Sequence, residues 1–132
     1  MSLFTKCILK IKYPSDGIRI SVMNRHTLND GKTLDVRIND NKYDEHLILL
    51  APSSKLLGEY YKRNMPWKDY EKRYLEQIRK PELIITVQEL AKRALGSDIT
   101  LLCIEDDATF CHRRLLAEEC KIYEPSLKIA HI

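Results

Sequence analysis

Glycine is scarce in this chain, four in 132 residues, and positions 17, 31, 58 and 96 are too far apart to build a phosphate-cradling loop. Long apolar runs are missing too. Nothing approaches the roughly eighteen residues of a membrane span, so no membrane partner is expected. Cys7, Cys103, Cys111 and Cys120 form no Cys-x-x-Cys pair and no secreted disulfide framework, and free thiols in a reducing compartment are expected. Met1–Lys6 lacks the apolar core and cleavage pattern of a signal peptide, which predicts a cytoplasmic protein. Neither sign of charge dominates: the net of +3 permits nucleic-acid contact without demanding it.

What is present fits one soluble domain over residues 1–132. The length suits a single core, and 44% hydrophobic with 31% charged residues is ordinary for a globular protein. Cys7, Leu9 and Ile11 alternate with Lys6, Lys10 and Lys12, which predicts a strand over 5–13. Pro14–Gly17 reads as a turn and 18–23 as a second strand. The polar stretch 24–41 reads as a loop, and the chain turns helical after Tyr43. Ser53 or Ser54 is the expected cap of a helix to Arg63, Pro66 begins a second to Lys80, and Pro81 a third that Gly96 ends. The apolar run 99–104 predicts a strand buried on both faces. Asp107 is the expected cap of a last helix to Tyr123, and 127–130 a final short strand. The pattern is α/β: a small sheet flanked by helices, Rossmann-like in a loose sense.

Chemistry concentrates at one strand–helix junction. The run Ile99–Ile104 is followed by the acidic turn Glu105-Asp106-Asp107 and then by Cys111-His112-Arg113-Arg114. A thiol in the first turn of a helix, beside an imidazole and two guanidiniums, favours its thiolate. Cys111 is therefore the candidate nucleophile and His112 its proton partner, although neighbours on a helix need not face each other. The acidic turn opposes this by raising the thiol pKa or pairing with the arginines. Arg25 and His26 at the end of the second strand, with Arg113 and Arg114, are the candidate binders of a small anionic or phosphate-containing ligand. A phosphatase-type loop is excluded, because the sixth residue after Cys103 is Thr109 and after Cys111 is Ala117, and neither is arginine.

Leu101-Leu-Cys-Ile-Glu-Asp106 and Cys111-His-Arg-Arg-Leu-Leu-Ala-Glu-Glu119 resemble the C-terminal signature of the family catalogued as domain of unknown function 488. Leu50-Ala-Pro-Ser53, Trp67 and Tyr70-Glu-Lys-Arg-Tyr74 resemble a branch of it, so that the likeness spans about 18–120. The resemblance implies a small cytosolic α/β domain with its site at the signature, and no established activity. Many relatives carry an Asp and an Arg just after the early strand. Here Val22-Met-Asn-Arg-His26 offers Arg25 without the carboxylate.

Two other readings have residues to rest on. A metal site would draw on Cys103, Cys111, His112, His26 and His46, but adjacent helical residues point about 100° apart, so no metal and no cofactor is expected. Nucleic-acid or protein binding would use the helices over 55–80, where eight basic residues outnumber four acidic and Tyr60, Tyr61, Trp67, Tyr70 and Tyr74 are interleaved. Against it, Trp67, Tyr70 and Tyr74 at helical spacing read as a core face beneath a solvated charged one.

Overall fold

Ile99–Cys103 is buried along its whole length and forms the middle strand, β4, of a five-stranded parallel sheet. The computed structural model describes residues 2–132. Around β4 lie β1 (Ser2–Cys7), β2 (Ile18–Ser21), the two-residue β3 (Glu45–His46) and β5 (Lys128–His131), in the order β3-β2-β4-β1-β5. Register is fixed on both sides of β4: Leu3 and Ile18 both pair with Ile99, and Cys7 pairs with Cys103. Four helices connect the strands: α1 (Ser54–Lys62), α2 (Trp67–Ile78), α3 (Pro81–Gly96) and α4 (His112–Tyr123). This is a single-domain α/β fold.

Strand alternation separates two environments. Leu3, Ile20, Ile99 and Leu101 enter one apolar cluster with residues from every helix, among them Leu56, Tyr74, Val87 and Leu116. The alternate residues Lys6, Arg19 and Thr100 meet Asp16 on the other side, all of them buried. That side is covered by connecting chain: Lys6 Nζ donates to Ile11 O at 2.6 Å, and Arg19 Nε to Lys42 O at 2.7 Å. No described helix is long and apolar enough to cross a membrane.

The second strand ends at Ser21 rather than at 23, and Glu45–His46 pairs as a strand where the pattern after Tyr43 reads as helical. Three further boundaries differ from the sequence pattern, each for a visible reason. The first strand covers 2–7 rather than 5–13, because Lys6 points into the protein and Lys10 N–H turns back onto Cys7 O at 3.1 Å. Alternating lysines had the look of a solvent face. The last helix begins at His112, with Cys111 at its cap position; Asp107 is instead spent on Thr109, accepting from its N–H and hydroxyl at 2.7 and 2.6 Å. Ser97, not Gly96, is the residue beyond α3, in extended conformation. Ser53 does cap α1, its Oγ accepting from Leu56 N–H at 3.1 Å.

Gly17 is required where the Pro14–Gly17 turn enters β2. Its φ of 67° is in the left-handed region, and a Cβ there would lie 2.1 Å from the Asp98 carbonyl oxygen. That oxygen holds the Ile18 N–H at 3.0 Å, so it is not free to move. Gly17→Ala is expected to cost on the order of 2–3 kcal/mol by urea denaturation. A cost under about 0.5 kcal/mol would show that the turn relaxes freely.

Candidate functional site

In a parallel sheet every strand ends at the same edge, and ligands gather beyond the carboxyl ends. Here that edge brings together Cys103, the last residue of β4, Val22–Asn24 after β2, and the start of α4. Between β4 and α4 the chain makes a tight acidic loop. Arg113, almost fully buried, reaches back from α4 to hold it, donating to Glu105 O at 2.6 Å and Asp106 O at 3.3 Å.

His112 is the pivot. Its Nε2 lies 2.7 Å from the Val22 carbonyl, which can only accept, so Nε2 carries a hydrogen and, in the neutral ring, Nδ1 is the nitrogen with the lone pair. Nδ1 faces two thiols, Cys103 Sγ at 3.9 Å and Cys111 Sγ at 4.0 Å. The three ligand atoms lie within 4.8 Å of one another, and all three residues are buried. Tyr74 packs edge-on against the imidazole, with ring centroids 5.3 Å apart, and its hydroxyl is tied to Leu50 O at 2.7 Å.

The two thiols differ. The neighbouring Cys111 thiol, with backbone N–H groups of the Ile104–Glu105 turn and the Arg113 charge, lowers the Cys103 pKa against its burial. Burial, joined by the neighbouring Cys103 sulfur, pushes Cys111 up. Arg113 Nη1 also donates to Cys111 Sγ, at 3.4 Å. Elsewhere, burial pushes the Cys120 thiol up to about 12.

Above the cluster opens a cavity of about 450 Å³, lined by residues 23–25 and 27–32, by several from 52–62, and by Cys103, Ile104, Glu105 and His112. Cys103 and His112 reach it; Cys111, behind them, does not. Arg25, Lys32 and Lys62 also line it, and none of these cations has an ion-pair partner among the described residues. The carboxylates beside them are engaged. Asp30 accepts from Thr33 and the Lys32 N–H, and Glu105 accepts from the Tyr61 hydroxyl at 2.5 Å.

The structure thus distributes the residues singled out from the sequence. Arg25 and His112 line the cavity, and Cys111 supports its floor. His26 sits outside the lining, its Nε2 2.7 Å from Ser21 Oγ and its ring stacked on His46 at 4.3 Å. Arg113 is the loop clamp. Arg114 lies on α4 between Glu118 and Glu71. Of the aromatics over 55–80, Tyr70 and Tyr74 are buried, Tyr60 and Trp67 pack against Tyr70, and Phe110 from the loop before α4 packs against Trp67.

Sequence reasoning passed over Cys103 as the cavity thiol, and with it Tyr61, Lys32 and Lys62. The signal for Cys103 was its place as the final residue of the buried strand, where a parallel sheet presents side chains to ligand. For Lys32 and Lys62 there was none, because a loop and a helix far apart in sequence meet only in the fold.

A family model described as the active DUF488-N3 subclade matches residues 3–122. No curated protein and no solved structure is significantly similar to the chain.

Proposed function

The chain belongs to the DUF488 family, in its active DUF488-N3 subclade, and from that premise we propose that the cavity takes a small anionic ligand and that Cys103 carries out thiol chemistry on it. One observation carries the reading: Cys103 and His112 meet at the floor of a cavity whose lining holds three cations, Arg25, Lys32 and Lys62, against two carboxylates, Asp30 and Glu105, that are already hydrogen-bonded to their neighbours. Carboxylate and phosphate groups are what such a set of cations attracts, Arg25 through its planar fork and the lysines as point charges. His112 Nδ1 is oriented to receive a proton from the Cys103 thiol. The sulfur then attacks an electrophilic atom of the bound ligand, the bond from that atom to its leaving group breaks, and the leaving group takes the proton back from His112. Cys111 supports this from behind as the neighbouring thiol that favours the Cys103 thiolate. Nucleophile and base therefore come from different elements, β4 and α4, and the difficulty of two adjacent helical residues facing each other disappears.

The test compares an anionic and a neutral alkylating agent, iodoacetate and iodoacetamide, on reduced, chelator-treated protein at neutral pH, with modification read at each cysteine by mass spectrometry. Cys103 is expected to react about tenfold or more faster than Cys120. Iodoacetate should be favoured at Cys103 more than at a free thiol, and Arg25→Ala with Lys62→Ala should remove that preference. Equal rates at Cys103 and Cys120 would dispose of the nucleophile. An unchanged preference in the double variant would dispose of the anion site.

A further inference from the structure

The three groups at the cavity floor match the donor set of a transition-metal site. Thiolate and imidazole are the ligands that zinc and other borderline-soft divalent ions select. Bond lengths of about 2.3 Å to sulfur and about 2.0–2.1 Å to nitrogen place the nitrogen–sulfur edge of a tetrahedral site near 3.6 Å. His112 Nδ1 already stands 3.9 and 4.0 Å from the two sulfurs. The nitrogen–sulfur edges close on an ion by a few tenths of an ångström, and the sulfur–sulfur edge, within 4.8 Å, closes towards the roughly 3.8 Å of a tetrahedral site.

Adjacency in sequence argued against such a site, on the assumption that Cys111 and His112 share a helix. They do not. Cys111 is the residue before α4, with extended φ and ψ of −137° and 140°, and this backbone turn brings its sulfur round to the face that His112 presents. The neighbouring groups also suit an ion. Metal-binding histidines commonly donate their second ring N–H to a carbonyl, as His112 Nε2 does to Val22 O. Arg113 Nη1 donates to Cys111 Sγ at 3.4 Å, as outer groups do to a ligating thiolate. Two thiolates neutralise a divalent ion, so the buried cluster accepts the charge without another carboxylate.

We infer that Cys103, Cys111 and His112 bind a zinc-like divalent cation with three protein ligands, leaving a fourth position open towards the cavity. Three ligands with an open position distinguish a reactive metal centre from a structural one, which closes with four. The inference deepens the proposed reading and rests on the same cavity: the open position is where an oxygen of the anionic ligand would bind. It also makes the cluster two-state. With the ion bound, the Cys103 sulfur is a ligand and cannot attack, so thiol chemistry belongs to the metal-free protein.

Cobalt(II) alone is the probe, added to the reduced, chelator-treated full chain. The expected result is a thiolate-to-cobalt charge-transfer band with the visible bands of four-coordinate cobalt, saturating at a single ion per chain and bleached by zinc. Cys103→Ser and Cys111→Ser should each abolish the charge-transfer intensity of the three-ligand site or weaken it severely, while Cys120→Ser leaves it intact. A second measurement needs no variant. Zinc should slow alkylation of Cys103 by about tenfold or more on the wild-type chain. Absence of both the cobalt band and zinc protection overturns the metal site, as does a band indifferent to Cys103→Ser and Cys111→Ser. The two readings fail separately. Fast Cys103 alkylation without a cobalt band leaves the thiol reading standing alone, and a cobalt band with sluggish Cys103 in the metal-free protein leaves only the metal.

Discussion

Asp16→Asn is expected to lower unfolding stability by about 3–5 kcal/mol, the loss that follows when one partner of a buried ion pair is removed and its opposite charge stays behind. Two cations would be left here. Lys6 Nζ lies 3.0 and 2.9 Å from the two carboxylate oxygens, and Arg19 Nη1 lies 2.5 Å from Oδ2. All three residues are buried, and Arg19 Nη2 has no partner even with the carboxylate present. Domains of this size are stable by only about 5–15 kcal/mol, so the loss removes a large part of the total. Urea denaturation should show a lower midpoint with an unchanged slope. The exposed pair Arg93–Glu45 supplies the contrast, since Arg93→Ala should cost under about 1 kcal/mol. Equal effects at the two sites would mean that the Asp16 cluster is as well solvated as the surface one.

The same carboxyl predicts the acid response. Burial alone would raise the Asp16 pKa, but the hydrogen bonds from Lys6, the Tyr13 backbone N–H and Arg19, with the Lys6 charge, outweigh it and hold the group below the usual aspartate value. A folded pKa below the unfolded one means that the unfolded chain binds more protons at moderately acid pH. The stabilisation is therefore complete above the unfolded value, about pH 4, and disappears as pH falls through the lower folded value. Stability measured downward from neutral pH should stay flat with respect to this group and then decline. Asp16→Asn, lower throughout, should decline less steeply, because one carboxyl no longer takes up a proton on unfolding.

How much of this could be read beforehand depended on whether the deciding force was local. Three of the four helices and the buried strand β4 carry local signatures: the Ser53 cap, Pro66 and Pro81 at helix starts, the stripe Leu83, Val87, Leu90 and Ala94, and the unbroken apolar run to Cys103. Long-range forces undid the local signal elsewhere. Lys6 alternates with Cys7 as a surface residue would, yet the distant Asp16 draws it inside. The two-residue strand β3 has no pattern of its own; it exists because Ile20 and Ser21 offer an edge to Glu45 and His46. The candidate site was legible as a segment and not as a geometry. Cys103–Arg114 holds the chemistry, but which thiol meets the cavity was decided by where α4 begins, and Asp107 misled on that point by capping Thr109 in a turn instead of the helix.

Arg113→Ala is expected to have the second largest effect, about 2–4 kcal/mol, through the acceptors it abandons. Its guanidinium ties the Glu105 and Asp106 carbonyls and the Cys111 sulfur to α4 from a position almost closed to solvent. Without it, two carbonyls lose their charged donor, and the loop that follows Cys103 loses its clamp. The consequence for function differs from that for stability. Glu105 lines the cavity and holds Tyr61, so a released loop displaces one wall of the ligand site. Arg113→Lys separates the two effects, because a single ammonium keeps the charge but cannot span both carbonyls and the sulfur as a planar fork does. Alkylation of Cys103 by iodoacetate and iodoacetamide gives the readout besides stability. If Arg113 acts as the clamp, both variants should lose the selectivity for iodoacetate, and Arg113→Lys should regain part of the stability. If the lysine variant keeps full selectivity, charge alone is what Arg113 supplies, and the loop is held by the Tyr61–Glu105 contact instead.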